Sequence, residues 1–157
     1  MRLAIGDRSR HATRSHAPGT VARPVVLATL EAPLTAEASA VAVDAAVESG
    51  QPLVIVNAVE SSLAPCGLML GYDTIVPPDV EESLRAPAAL AQSLGVAVER
   101  IRLRSPRPVE ALLELVDERS PGLLVVGPDP GRIRARTLRK ALRRIRAEAP
   151  CLVWLAD

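Results

Sequence analysis

The stretch PVEALLELVDERSPGLLVVG, residues 108–127, decides the fold class. Pro108 suits the first position of a helix, where its missing N–H is not needed. Val109, Leu112, Leu113 and Val116 then recur at helical spacing, with Glu110, Glu114, Asp117 and Glu118 turned outward. Ser120-Pro121-Gly122 breaks the pattern. Leu123 to Val126 is a short unbroken apolar run, the mark of a strand buried on both faces. A helix feeding a fully buried strand is one step of an α/β repeat with a parallel sheet.

The same alternation extends in both directions. Pro24 to Leu30 reads as a buried strand, and Thr35 is placed to cap a helix over Ala36 to Glu48. In that helix Ala36, Ala40, Val43 and Val47 share one face, and Gly50 is placed to end it. Leu53 to Val56 is a second buried strand. Residues 61 to 78 form a long connection, after which Asp79 and Glu82 resemble a capping box. Pro87 should kink the helix that follows or delay its start, and Gly95 ends it. Val98 to Arg104 mixes charge with apolar residues and fits a sheet edge. Past Gly127, a last helix carries Leu138, Ala141, Leu142 and Ile145 inward, and Cys151 to Leu155 is the final strand. The expected architecture is a single open parallel five-stranded sheet, Rossmann-like, with helices on both faces and right-handed crossovers. Ligands in such sheets bind beyond the carboxyl ends of the strands, here the loops after Leu30 and Val126.

Composition narrows the function. The chain has 157 residues, 48% hydrophobic, with no Phe and with Tyr72 and Trp154 as its only aromatics. That scarcity argues against a base-stacking nucleic-acid platform. Both histidines, His11 and His16, lie in residues 1–22, a basic segment that reads as a flexible tail ahead of a domain spanning 23–157. A His-based metal site or Ser-His triad in the body is therefore not expected, and no other nucleophile–base–oxyanion constellation is legible. Cys66 and Cys151 make neither a disulfide framework nor a zinc site. No apolar run approaches a membrane span of ~20 residues, and no signal-peptide core is present. A cytoplasmic location is expected. Net charge is +1, yet residues 132 to 146 hold seven arginines and Lys140, which reads either as an anion-binding surface or as a solvated face.

Taken in order, Pro108 to Leu115, Gly122 to Gly127 and Ala149-Pro150-Cys151 resemble the universal stress protein family over about Pro24 to Leu155. The family pattern runs Pro-x-Glu-x-Ile/Leu, then Asp-Leu-Leu/Ile-Val-Val/Met-Gly, then Ala-Pro-Cys-Pro-Val. The resemblance implies a dimeric stress-response or regulatory module, and many members bind ATP. The family's adenosine-contacting Asp falls at Leu30, with Glu31 beside it. Its phosphate loop, Gly-x2-Gly-x9-Gly-Ser/Thr, meets Gly127-x3-Gly131 here, one residue longer, with Pro128 and Pro130 lacking amide donors. The terminal Gly-Ser/Thr pair falls at Arg139-Lys140 or at Ala141-Leu142, depending on register. The candidate nucleotide or anion site is thus Leu30, Glu31, Val56, Gly127, Gly131, Arg132, Arg139 and Lys140, with no bound cofactor expected and ATP disfavoured. Either the loop is a turn that has kept its first glycine to end a strand, or Arg132, Arg139 and Lys140 meet an anion by charge. The resemblance also implies a homodimer through the last strand, at Leu152, Val153, Trp154 and Leu155. An adaptor for nucleic acid or acidic partners, through the basic tail and last helix, is a third expectation.

Overall fold

A computed structural model describes residues 21–61 and 76–156. The expectations for residues 1–20, for most of the 61–78 connection and for Cys66 and Tyr72 lie outside the described residues. The elements run β1 (Val25–Leu30), α1 (Ala36–Ser49), β2 (Leu53–Glu60), α2 (Pro78–Ser93), β3 (Val98–Ser105), α3 (Pro108–Arg119), β4 (Leu123–Val126), a single 3-10 turn (Pro130–Arg132), α4 (Ala135–Glu148) and β5 (Leu152–Leu155). All neighbouring strands pair in parallel, in the order β3-β2-β1-β4-β5. The chain works outward from β1 to β3, then crosses back to β4. Right-handed crossovers therefore put α1 and α2 on one face and α3 and α4 on the other.

Strand alternation divides the core accordingly. Val25, Leu27, Leu53 and Ile55 pack with α1 and α2. Val26, Ala28, Val54, Val56 and Leu124 pack with α3 and α4. As expected, β3 lies at a sheet edge, carrying Glu99, Arg100, Arg102 and Arg104, and apolar β5 forms the other edge. Thr35 caps α1, its hydroxyl accepting from the Ala38 amide at 3.2 Å, and Gly50 ends it at φ 66°. No helix among the described residues is long and apolar enough to cross a membrane.

Four local readings are corrected. In α1 the buried residues are Ala38, Ala42, Val43 and Ala46, whereas Ala36 and Ala40 are exposed and Val47 is 41% exposed. So much of α1 is Ala and Val that spacing alone allows several stripes. The face with the smallest side chains turns inward because β4 and the loop after it approach closely. In α3 the buried set is Leu112, Leu115 and Val116, with Leu113 only half-buried. Asp79 is not a cap: α2 begins at Pro78 without a side-chain cap, Glu82 pairs with Arg85, and the helix runs on through a buried Pro87. Finally, β2 continues past Val56 to Glu60, with Ala58 still buried.

Candidate functional site

Beyond the carboxyl ends of β1 and β2 lies a cleft of about 450 Å³. Leu30 and Ala58 form apolar wall at the strand ends, and Glu31 and Glu60 carry the two strands' last carboxylates. Pro108 and Val109 enter from the start of α3; Arg132, Ile133, Arg134 and Thr137 enter from the turn before α4 and its first residues. Neither helix has a side-chain cap, so the amides of their first turns, apart from Pro108 which has none, are not taken by a capping side chain. The cleft is thus bipolar: carboxylates at the strand ends, guanidinium groups and helix starts opposite.

Backbone geometry fixes the acidic wall. Glu31 sits at φ 57°, a left-handed conformation that turns the chain sharply after β1. Its amide donates to the buried Asn57 Oδ1 at 3.3 Å, and its carboxylate accepts from the Glu60 amide at 2.6 Å. The buried Thr29 hydroxyl donates to the Ala32 carbonyl at 2.6 Å, securing the same turn. Desolvation pushes the Glu31 pKa upward, opposed by the Glu60 amide, reinforced by the Glu60 carboxylate and opposed again by Arg102.

The loops after β1 and β4 are closed on each other. The Thr35 amide donates to the Gly127 carbonyl at 2.9 Å, and the Asp129 amide to the Pro33 carbonyl at 2.8 Å. Leu34 and Pro128 meet between them as a short antiparallel bridge. The Asp129 carboxylate then accepts the Gly131 amide at 2.9 Å. From α2, Ser83 Oγ accepts the Leu34 amide at 3.0 Å, and Asp79 pairs with Arg132 at 2.5 Å. Desolvation works against ionised Asp79, but Arg132 and the Val80 amide outweigh it and hold its carboxyl below the usual range.

Gly127 is buried where a Cβ would overlap the Cβ of Ala38 in α1. Its lack of a side chain serves helix–sheet contact.

The residues singled out from sequence are therefore only partly brought together. Leu30, Glu31 and Arg132 line the cleft. Val56 is fully buried in the core on the α3/α4 side, Gly127 packs under α1, and Gly131 lies in the 3-10 turn. Arg139 and Lys140 are exposed on α4 outside the cleft lining. Sequence reasoning missed Glu60, Arg134 and Thr137. The period-2 run Val54, Val56, Ala58, Glu60 carried the signal for the first. The others follow from where α4 begins. Cys151 is half-buried, and burial pushes its thiol pKa up, so nothing activates it.

A parallel sheet in this order, with a crevice beyond its carboxyl ends, defines a Rossmann-like α/β domain. The profile of the universal stress protein family matches residues 22–156. The chain belongs to the universal stress protein family. Among solved structures, a universal stress protein in complex with cAMP is 25% identical, with 86% of this chain and 97% of that one covered and a TM-score of 0.60. A universal stress protein family member from Burkholderia pseudomallei is 19% identical, covering 88% and 98%, with a TM-score of 0.61. The universal stress protein from Archaeoglobus fulgidus in complex with dAMP is 14% identical, covering 88% and 100%, with a TM-score of 0.58. No curated protein matches by sequence.

Proposed function

We propose that this protein is a non-catalytic, regulatory universal stress protein that acts as a homodimer and no longer holds ATP as its family does. The observation that carries the reading is the closed rim over β1 and β4. Asp129 places a carboxylate on the Gly131 amide, which a phosphate loop would offer to its ligand. Pro128 and Pro130 offer none, and Gly127 is committed to packing against Ala38. Leu30, where the family has Asp, packs against the core on the α3/α4 side and accepts no hydrogen bond. In this reading residues 1–22 are a basic tail on a domain spanning 23–157, and the protein is cytoplasmic.

The dimer follows from the β5 edge. Leu152 is 71% exposed and Trp154 is half-buried, with no Lys, Arg or Pro along Leu152–Leu155 to block strand pairing. Light scattering should report a dimer at micromolar concentration, and Trp154→Asp should give a folded monomer. A wild-type monomer at high micromolar concentration contradicts this.

The 450 Å³ cleft favours a second reading, an altered pocket for a small anion, because Arg132 and Arg134 line it together with two uncapped helix starts. The solved relatives in complex with cAMP and dAMP make mononucleotides the first probes. A ligand selective for the native state must raise the melting temperature. The first reading expects no shift with ATP, AMP or cAMP at micromolar concentration. A rise with AMP or cAMP alone favours the second, and a rise with ATP at micromolar concentration contradicts the first.

A further inference from the structure

Residues 132 to 146 hold eight of the chain's 19 Lys and Arg and no acid, leaving eleven cations against 18 acids elsewhere. The chain is therefore not generally basic; its positive charge is gathered on α4. Leu138, Ala141 and Ile145 are buried against the sheet, and Arg136, Arg139, Lys140, Arg143 and Arg146 are all exposed on the rest of the helix. These five stand at i, i+3, i+4, i+7 and i+10, a continuous stripe about 15 Å long at 1.5 Å per residue. Among the described residues, Arg85, Arg100, Arg107, Arg119, Arg132 and Arg144 each have a carboxylate partner. None of the five stripe residues has one among the described residues. Glu148 on α4 and Glu110 on α3 are both engaged by Arg144.

We propose that this stripe is a docking surface for the phosphate backbone of double-stranded nucleic acid, read by charge and without sequence preference. The chemistry favours phosphate, because four of the five cations are Arg, whose planar fork meets phosphate oxygens two at a time. Regular spacing with no intervening acid suits a partner whose charges repeat along a line. A single strand fits less well, since it calls for stacking platforms. Trp154, the one described aromatic, packs on the α1/α2 face, across the sheet from α4. Insertion into a lipid surface needs an exposed apolar face, and that of α4 is already buried in the core.

Fluorescence anisotropy of the full chain with a labelled duplex tests the idea. Contact with about four phosphates predicts an affinity that falls roughly 100-fold between about 50 and about 200 mM salt. The triple substitution Arg136→Gln, Arg139→Gln, Arg143→Gln, confirmed folded by its thermal melt, should lose most of the binding. Arg139→Gln alone should lower the log–log salt slope by about 1. No binding at the lower salt overturns the proposal. Undiminished binding by the triple variant also overturns it, by assigning the contact to another part of the chain. So does tighter binding to poly-glutamate, which points to an acidic protein, or to anionic lipid vesicles, which points to a membrane surface.

Discussion

Along the strands the molecule is uniform: Val26, Ala28, Val54, Val56, Leu124 and Val126 are buried aliphatics in register across β2, β1 and β4. A few residues further on, at the carboxyl-end rim, the chemistry changes at every position. Leu30, Glu31, Asp129 and Arg132 follow one another there as an apolar side chain, two carboxylates and a guanidinium. The two regions answer to different demands. The sheet is constrained by volume and by backbone pairing, which any set of aliphatics of the right size can meet. The rim is held by a few loop contacts and by what it must bind, so its side chains can change with less cost to the sheet beneath.

The contrast is sharpest in stability. Leu124→Ala removes a fully buried side chain packed between the sheet and the α3/α4 layer. It should cost about 2–5 kcal/mol, read as a fall in the denaturant midpoint; a loss below ~0.5 kcal/mol would mean that the core is loosely packed. Gly127 tests the boundary between the two regions. As a packing residue, Gly127→Ala should destabilise by roughly 1–3 kcal/mol through overlap with Ala38. Were it instead a spare loop glycine, the same substitution would be neutral or mildly stabilising.

The smallest effect belongs to the rim's acidic wall. The folded state holds the Glu31 proton more tightly than the unfolded chain does, because desolvation raises its pKa. This group's contribution is therefore most favourable below the ordinary glutamate value and declines as pH rises through the raised one. Glu31→Gln keeps an oxygen to accept the Glu60 amide and should flatten that decline. An unchanged profile of melting temperature against pH would show that Glu31 is not desolvated at the rim.

How much was legible in the sequence divides along the same line. Continuous aliphatic runs, Thr35, Gly50 and Pro108 set the strands, the caps and the order of elements, because each acts locally. The inward face of α1 was not legible, since Ala and Val occupy most of its positions and tertiary contact decides among them. The rim was legible by subtraction. Leu30 and the prolines around Asp129 announced what was missing, whereas the Asp79–Arg132 pair and the bond from the Asp129 amide to the Pro33 carbonyl join residues distant in sequence. Arg139 and Lys140 were placed in the site by counting residues, and the helix geometry turns them elsewhere.

The central claim is that the rim has given up the family's hold on ATP. A buried site loses roughly 1–3 kcal/mol for each hydrogen bond removed, so three losses of about 1.4 kcal/mol carry a micromolar site to about millimolar. Isothermal titration of the wild-type protein with ATP should accordingly give no saturable heat below about 1 mM. A dissociation constant of about 10 μM or tighter, equivalent to nearly 7 kcal/mol of binding free energy, would contradict the account.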